Sequence, residues 1–371
     1  MIPNMFRIIL FSVCTLMHVY VFWRLASVPF VIRHVSRRTV GTVGLLLWVL
    51  LFCGLFWGHR GSGPWAAILE LLSMNWLGVL LLALVCLLMV EVGTGFGLLW
   101  RGIAPVLRGW ALAAAAVLSM VAMVQGARPP VVENYEVSVP DLPKHMDGTV
   151  IVGIADLHLG SLLGQAWLQK RVTEVNAQKP DMVVLLGDIL EGHGPFHKPL
   201  IPVFRKLSAP LGIWAVPGNH EAYGNYEVAL RLMEEAGFQV LCNQWVEIRP
   251  GFVVAGVEDL TIARRQGKAP HQVAKTLKGR PPGTTVLLSH TPWQVEAAAR
   301  AGTDLMLCGH THGGQIWPFG YLVRLVYPLL AGEYHMDGMT VIVCRGTGTW
   351  GPRMRLWHPG EILRVTLRCA G

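Results

Sequence analysis

The sequence predicts an all-α transmembrane anchor of about four helices followed by an α/β domain. Three observations carry that expectation. The 371-residue chain is 53% hydrophobic and only 15% charged, with a mean hydropathy of +0.45, and the apolar excess is concentrated in its first third. After Arg128-Pro129-Pro130 the long apolar blocks stop and short β-branched runs begin. Those runs alternate with helical patterns and close on Asp, Asn and His.

The apolar blocks run over Ile8–Trp23, Val43–Trp57, Trp76–Leu99 and Ala104–Gln125. With its flanks, each reaches the length needed to cross a hydrocarbon core of ~30 Å, about 20 helical residues. Soluble core helices seldom lack a polar face four times in succession. A cleaved signal peptide would account for the first block alone. Apolar Trp65–Leu72, upstream of the third block, is either a miscounted span or an interfacial helix. Glu91, Glu70 and His18 lie within or beside these blocks. Each is either a functional intramembrane group or, as Glu91 near its block's end suggests, one that reaches the interface.

Charge locates the partners. Residues 1–128 hold nine Lys+Arg against two Asp+Glu, whereas residues 129–371 hold 22 against 21. The formal charge of +8 therefore sits between the spans, and no basic footprint remains for nucleic acid. Arg24, Arg33, Arg37, Arg38, Arg101 and Arg108 flank the first and third loops, against Arg7, Arg60 and Arg128 on the other side. The positive-inside rule then puts those loops in the cytoplasm. The expectation is a multi-pass protein of the inner (cytoplasmic) membrane whose large domain is extracytoplasmic.

Cys14, Cys53 and Cys86 fall in the membrane blocks, where a small apolar side chain is the default reading. Cys242, Cys308, Cys344 and Cys369 show no CxxC spacing, which disfavours a thiolate zinc site and leaves disulfides unassigned.

Residues 129–148, with Pro140 and Pro143, suit an extended connector, leaving residues 149–371 as the folded domain. Thr149–Ala155 leads into Asp156-Leu157-His158, and Asp181–Leu186 into Gly187-Asp188. Gly212–Val216 leads into Pro217-Gly218-Asn219-His220-Glu221. Thr284–Leu288 leads into Ser289-His290, and Asp304–Cys308 into Gly309-His310-Thr311-His312. Helical spacing falls over Leu168–Gln178, Glu227–Ala236 and Glu296–Ala301. Near-continuous apolar strands alternating with helices imply a buried, largely parallel sheet, with sites at the carboxyl ends of the strands.

The HxH of His310 and His312 is by itself either a metal site or a hydrogen-bonded pair in a glycine turn. Five strand ends in chain order, each delivering a nitrogen or oxygen ligand, favour the metal. Asp and Asn oxygens with imidazoles and no thiolate suit borderline or hard divalent ions. Seven such ligands exceed one tetrahedral site and fit two ions sharing a carboxylate. GTGTWG at Gly346–Gly351 matches a dinucleotide fingerprint only in spelling, since Pro352 follows and no helix pattern appears.

The order DxH, GD, GNHE, SH, GHTH resembles the calcineurin-like metallophosphoesterase superfamily from about Thr149 onward. GHTHGGQIW and CRGTGTWGPRMRLWHPGEI resemble its bacterial membrane-associated branch. The resemblance implies a four-layer αββα sandwich of two mixed sheets. It implies one metal on Asp156, His158, Asp188 and His312, and a second on Asp188, Asn219, His290 and His310, with Asp188 shared. His220 matches the catalytic histidine. Glu221 stands where many members carry aspartate, and is expected to orient a neighbouring histidine. The ions would be Mn, Zn or Fe.

The expected reaction is hydrolysis of a phosphodiester or pyrophosphate bond by a hydroxide shared between two cations, with His220 stabilising charge or protonating the leaving oxygen. Trp317–Leu330, apolar around Arg324, is either a hairpin on the core or an apolar rim touching bilayer or acyl chains. With the anchor, the second reading favours a phosphorylated lipid or lipid-linked substrate. Arg345 is a candidate for bidentate contact with substrate phosphate, or else a surface ion pair. The competing functions are a non-catalytic membrane receptor for a phosphorylated ligand and a nucleotide or nucleic-acid phosphodiesterase.

Overall fold

A computed structural model describes residues 4–58, 61, 63–191, 198–268 and 271–370; Arg60, counted in the charge asymmetry, lies outside them. The chain divides into two compact units, one running to Ala127 and including Gly351–Leu356, the other formed by residues 128–350 and 357–371.

The first unit contains α1 (Asn4–Leu25), α2 (Pro29–His34), α3 (Arg37–Cys53, continued by a π-helical turn Gly54–Gly58), α4 (Pro64–Gly93) and α5 (Ala104–Ala127). Four of its helices are long and apolar enough to cross a membrane. Trp65–Leu72 adds no span and forms no separate interfacial helix: nothing between Leu72 and Trp76 breaks the backbone, and the segment is the first part of the 30-residue α4. Ser36 caps α3 by accepting the Thr39 N–H at 3.1 Å. His18 makes a 2.8 Å hydrogen bond to the Gly44 carbonyl and stacks on Phe22.

Glu91 sits near the end of α4 and is paired within the protein. It is fully buried and meets Arg108 Nε at 2.7 Å and Arg24 Nε at 2.9 Å. Arg24 closes α1 and Arg108 lies in the first turns of α5, so both loop-flanking arginines turn inward to neutralise a carboxylate that apolar surroundings would otherwise expel. In the same unit the Arg353 N–H donates to Asn75 Oδ1 (2.8 Å) and the Arg355 N–H to the Ala122 carbonyl (2.9 Å). Residues 351–356, which the sequence reading places within 149–371, thus group with the helical unit.

Among the described residues the second unit has twelve strands: β1 (Val131–Val139), β2 (Val150–Ile154), β3 (Met182–Leu186), β4 (Ile213–Val216), β5 (Gln239–Val240), β6 (Gln244–Arg249), β7 (Phe252–Gly256), β8 (Thr284–Leu288), β9 (Leu305–Cys308), β10 (Gly332–Met336), β11 (Met339–Val343) and β12 (Glu361–Cys369). One mixed sheet runs β1-β12-β2-β3-β4-β5 and the other β10-β11-β9-β8-β7-β6. The helices are α6 (Gln165–Ala177), α7 (Ile201–Phe204), α8 (Asn219–Tyr223), α9 (Tyr226–Glu235), α10 (Leu260–Arg265), α11 (Gln272–Thr276), α12 (Val295–Arg300) and α13 (Gly320–Arg324).

Period-two alternation builds the layers. Val184 and Leu186 face Val254, Leu288 and Leu307 between the two sheets. Val183 and Leu185 point the other way, onto Leu168, Val172 and Phe204 of the helices outside. On the far sheet Leu287, Met306 and Val341 pack against Leu260, Val273 and Ala298. The result is the expected αββα sandwich. The stretch read as a connector is different: residues 131–139 are β1, paired in parallel with β12 along its full length. Their alternation is the signature of a strand with one exposed face, and Pro140 and Pro143, which suited a connector, lie beyond its end.

Candidate metal centre

The five strand ends converge. Asp156 and His158 follow β2, Asp188 follows β3, Asn219 and His220 open α8 after β4, His290 follows β8, and His310 and His312 follow β9. The turns that deliver them are tight. Asp156, His158, Asp188, His310 and His312 all have positive φ, between 45° and 74°. Non-glycine residues persist there only when their surroundings hold them, a pattern that concentrates at functional sites. Gly218 shows how close the packing is: a Cβ there would lie 2.1 Å from Asp188 Oδ1.

Among the described residues three groups of donor atoms form, one of them His158, Glu191 and His220, and the other two made of predicted ligands. Asp156, His158 and His312 make one, and Asp188, His290 and His310 the other. His158 Nε2 lies 3.1 Å from His312 Nε2, and His312 Nε2 lies 3.5 Å from Asp156 Oδ1. In the second group His290 Nε2 lies 3.2 Å from both Asp188 Oδ2 and Asn219 Oδ1, and 3.1 Å from His310 Nδ1. Asp188 Oδ2 is also 3.8 Å from His158 Nε2, which sets it between the groups. The glycine turn does divide the HxH pair, His312 going to one group and His310 to the other.

Outer hydrogen bonds decide which atoms face inward. His290 donates through Nδ1 to the Leu186 carbonyl at 2.7 Å, and His158 Nδ1 donates to Glu191. With Nδ1 so engaged, each ring turns its Nε2 toward the other donor atoms, and the neutral tautomer leaves a lone pair there for a metal ion. Unscreened lone pairs and carboxylates about 3 Å apart repel, whereas ligands held ~2.0–2.2 Å from one cation sit roughly that far apart. The donor set fits metal ions. Charge tells the same story: burial, then Asp188, pushes the Asp156 carboxyl up to about 6, and burial, then His290, lowers His310 to about 3.

His220 stands beside these groups. Its Nδ1 is 3.0 Å from Glu191 Oε1 and its Nε2 is 4.0 Å from Asp188 Oδ2. Burial opposes the charged imidazolium, but the Glu191 and Asp188 carboxylates outweigh it and raise the group to about 9. Glu191 itself is held below its ordinary range: His220 and His158 overcome its burial.

Three residues with roles here were not legible as such in the sequence. Glu191 lies three positions after Asp188 in GDILEG, outside the GD pair, and bridges His158 to His220. Tyr327 places its hydroxyl 2.8 Å from His310 Nε2, fixing the ring so that Nδ1 faces the metal group. In the sequence its segment stands out only as an apolar stretch around Arg324. Glu221 was expected to orient a histidine. Instead it accepts the backbone N–H groups of Gly218 (2.7 Å), Asp188 (3.0 Å), Ile189 (2.8 Å) and Leu190 (2.9 Å), so it shapes the turn that carries Asp188. Arg345 engages Glu361 at 2.8 Å and Glu133 at 2.6 Å, partners that a substrate phosphate would have to displace.

Tyr327→Phe removes the outer hydrogen bond of His310 while keeping the ring's stack on Trp293. Metal affinity should fall about 10–100-fold, measured by titrating the apo chain with Zn²⁺ or Mn²⁺. Unchanged affinity would show that packing alone holds His310.

The calcineurin-like phosphoesterase family model matches residues 149–314. An uncharacterized metallophosphoesterase of Aquifex aeolicus is 35% identical over 245 residues, 65% of this chain and 92% of that protein. The chain belongs to the calcineurin-like metallophosphoesterase family. A transmembrane protein with metallophosphoesterase domain from Danio rerio is 33% identical over 273 residues, 70% of this chain and 62% of that one. An uncharacterized metallophosphoesterase of Campylobacter jejuni is 35% identical over 242 residues, 64% of this chain and 63% of its own length. The chain thus spans less than two thirds of some relatives it matches. Among solved structures, a dimetal phosphatase from Danio rerio is similar over 54% of this chain and 88% of that chain, with 15% identity and a TM-score of 0.36.

Proposed function

We propose that this protein is a membrane-anchored phosphoesterase that uses two divalent metal ions to hydrolyse a phosphodiester or pyrophosphate bond of a lipid or lipid-linked substrate. The observation that carries the reading is the pair of donor groups with Asp188 in one and 3.8 Å from His158 of the other, and His220 alongside. Asp156, His158 and His312 would hold one ion and Asn219, His290 and His310 the other. Two such ions would neutralise the phosphate oxygens and lower the pKa of a water between them. His220, oriented through Nδ1 by Glu191, directs Nε2 to the side of Asp188, where it can protonate the leaving oxygen or stabilise charge on phosphorus-bound oxygen. Burial raises the Asp156 carboxyl, so a cation beside it would favour its charged form, and metal binding and site geometry would be coupled.

The lipid preference is supported by α13 and its flanks. Rather than a hairpin, Gly320–Arg324 is a short helix, and around it Phe319, Leu322, Leu325 and Val326 expose apolar side chains just before Tyr327. Leu325 is 80% exposed and Leu322 58%. Contiguous apolar surface beside a polar site marks a place for an apolar partner. The expected partners are the bilayer and a phosphorylated lipid, not nucleic acid, and the arginine asymmetry favours an extracytoplasmic domain in the inner membrane. In detergent micelles, kcat/KM on a lipid phosphodiester should exceed that on bis(p-nitrophenyl) phosphate by about tenfold or more, the gain from burying about two methylenes at ~0.8 kcal/mol each. Equal values would remove the lipid preference and leave the hydrolase reading intact.

A further inference from the structure

Two adjacent arginines at the end of α10 are each linked through aromatic rings to a histidine of the metal centre, without a carboxylate partner among the described ion pairs. Asp259 starts this helix, accepting the Ile262 N–H at 3.0 Å and the Thr261 hydroxyl. Neighbouring helical positions diverge by about 100°, so Arg264 and Arg265 reach different rings. Arg264 places its guanidinium carbon 5.4 Å from the centre of the Trp293 ring. Trp293 stacks on Tyr327 (5.3 Å between centres, 19° between planes), and Tyr327 bonds His310. Arg265 donates from Nη1 to the Tyr223 hydroxyl at 3.3 Å and lies 5.7 Å from that ring's centre. Tyr223 in turn meets the His220 ring at 5.1 Å. One arginine is therefore tied to the His310 side of the centre and the other to the His220 side.

Both arginines are exposed, and ring faces orient a guanidinium while leaving most of its five N–H donors free. We propose that Arg264 and Arg265 form an anion subsite at the edge of the metal centre that receives a second phosphate attached to the phosphoryl group being cleaved. The substrate class this selects is a diphosphate-linked ester over a simple phosphodiester. Bidentate guanidinium contacts fit a phosphate's paired oxygens, and Arg265, next to the ring that touches His220, would hold negative charge on the leaving-group side. The inference rests on the phosphoesterase reading above.

The test uses full-length protein in detergent with bis(p-nitrophenyl) phosphate and the symmetrical bis(p-nitrophenyl) diphosphate, products being followed by chromatography. In the Arg264→Ala/Arg265→Ala double variant, the ratio of kcat/KM for diphosphate over monophosphate diester should fall about 10–100-fold, the scale of lost charge-assisted hydrogen bonds. Arg→Lys at both positions should restore part of that ratio. Calorimetric binding of methylenediphosphonate to the metal-loaded chain should weaken in step. If the ratio and the diphosphonate affinity both stay put, or both substrates lose by one factor, the subsite is overturned. A wild-type chain inert on both esters would defeat the phosphoesterase reading instead, and diphosphonate binding would still decide the subsite.

Discussion

His220→Ala keeps its metal ions and loses kcat by about 10²–10⁴-fold, the range associated with removing a general acid or charge-stabilising group. The expectation follows from where the ring's nitrogens go. Nδ1 is occupied by Glu191 at 3.0 Å, and Nε2 lies 4.0 Å from Asp188 Oδ2, outside the 3.1–3.8 Å web that links the proposed ligands. Seven other residues supply those ligands, so truncating His220 empties no coordination position. The alternative has a geometric basis as well, since His158, Glu191 and His220 could themselves surround an ion. Metal content per chain and kcat, measured on the same preparation, separate the two. Loss of metal in proportion to loss of rate would make His220 a ligand and reassign Glu191 with it.

Glu221→Gln is the second large effect, and it acts on stability before chemistry. Glu221 Oε2 accepts the Gly218 and Asp188 N–H groups, while Oε1 accepts those of Ile189 and Leu190. Burial, then the neighbouring Asp188, pushes this carboxyl upward, while the N–H donors from Leu190 and Gly218 oppose that shift. An amide turns one of the two oxygens into a donor facing two buried donors. At about 1–3 kcal/mol for each unsatisfied group, the change removes roughly 2–6 kcal/mol from a domain stability on the order of 5–15 kcal/mol. The thermal midpoint should drop by roughly 5–20 °C. An unshifted midpoint would mean that the turn around Asp188 is held by other contacts, and the backbone role assigned to Glu221 would be withdrawn.

What the sequence made legible follows from physics that is local in the chain. Buried strands such as Met182–Leu186 and Thr284–Leu288 appear as unbroken apolar runs because both faces are covered, and the polar residues at their ends are conspicuous by contrast. The helices Gln165–Ala177 and Tyr226–Glu235 are visible through three-and-four spacing. Partnerships across distant segments were not legible. Val131–Val139 is a strand only because Glu361–Cys369, some 230 positions later, pairs with it. Tyr327, Glu191 and Glu221 matter through hydrogen bonds whose spacing in sequence carries no motif of its own. Glu91 likewise could not be assigned to a buried cluster until Arg24 and Arg108 were seen to meet it. Residue types showed what chemistry was available, and the fold decided which atoms could share it.

The central claim, that these scattered side chains make a two-metal hydrolytic centre, is tested most directly by elemental analysis of the purified full-length protein coupled to hydrolysis of bis(p-nitrophenyl) phosphate. The expected result is close to two transition-metal ions per chain, activity abolished by chelation, and activity restored on adding the metal back. A folded chain that retains no stoichiometric metal, or that hydrolyses the ester equally well after chelation, would contradict it.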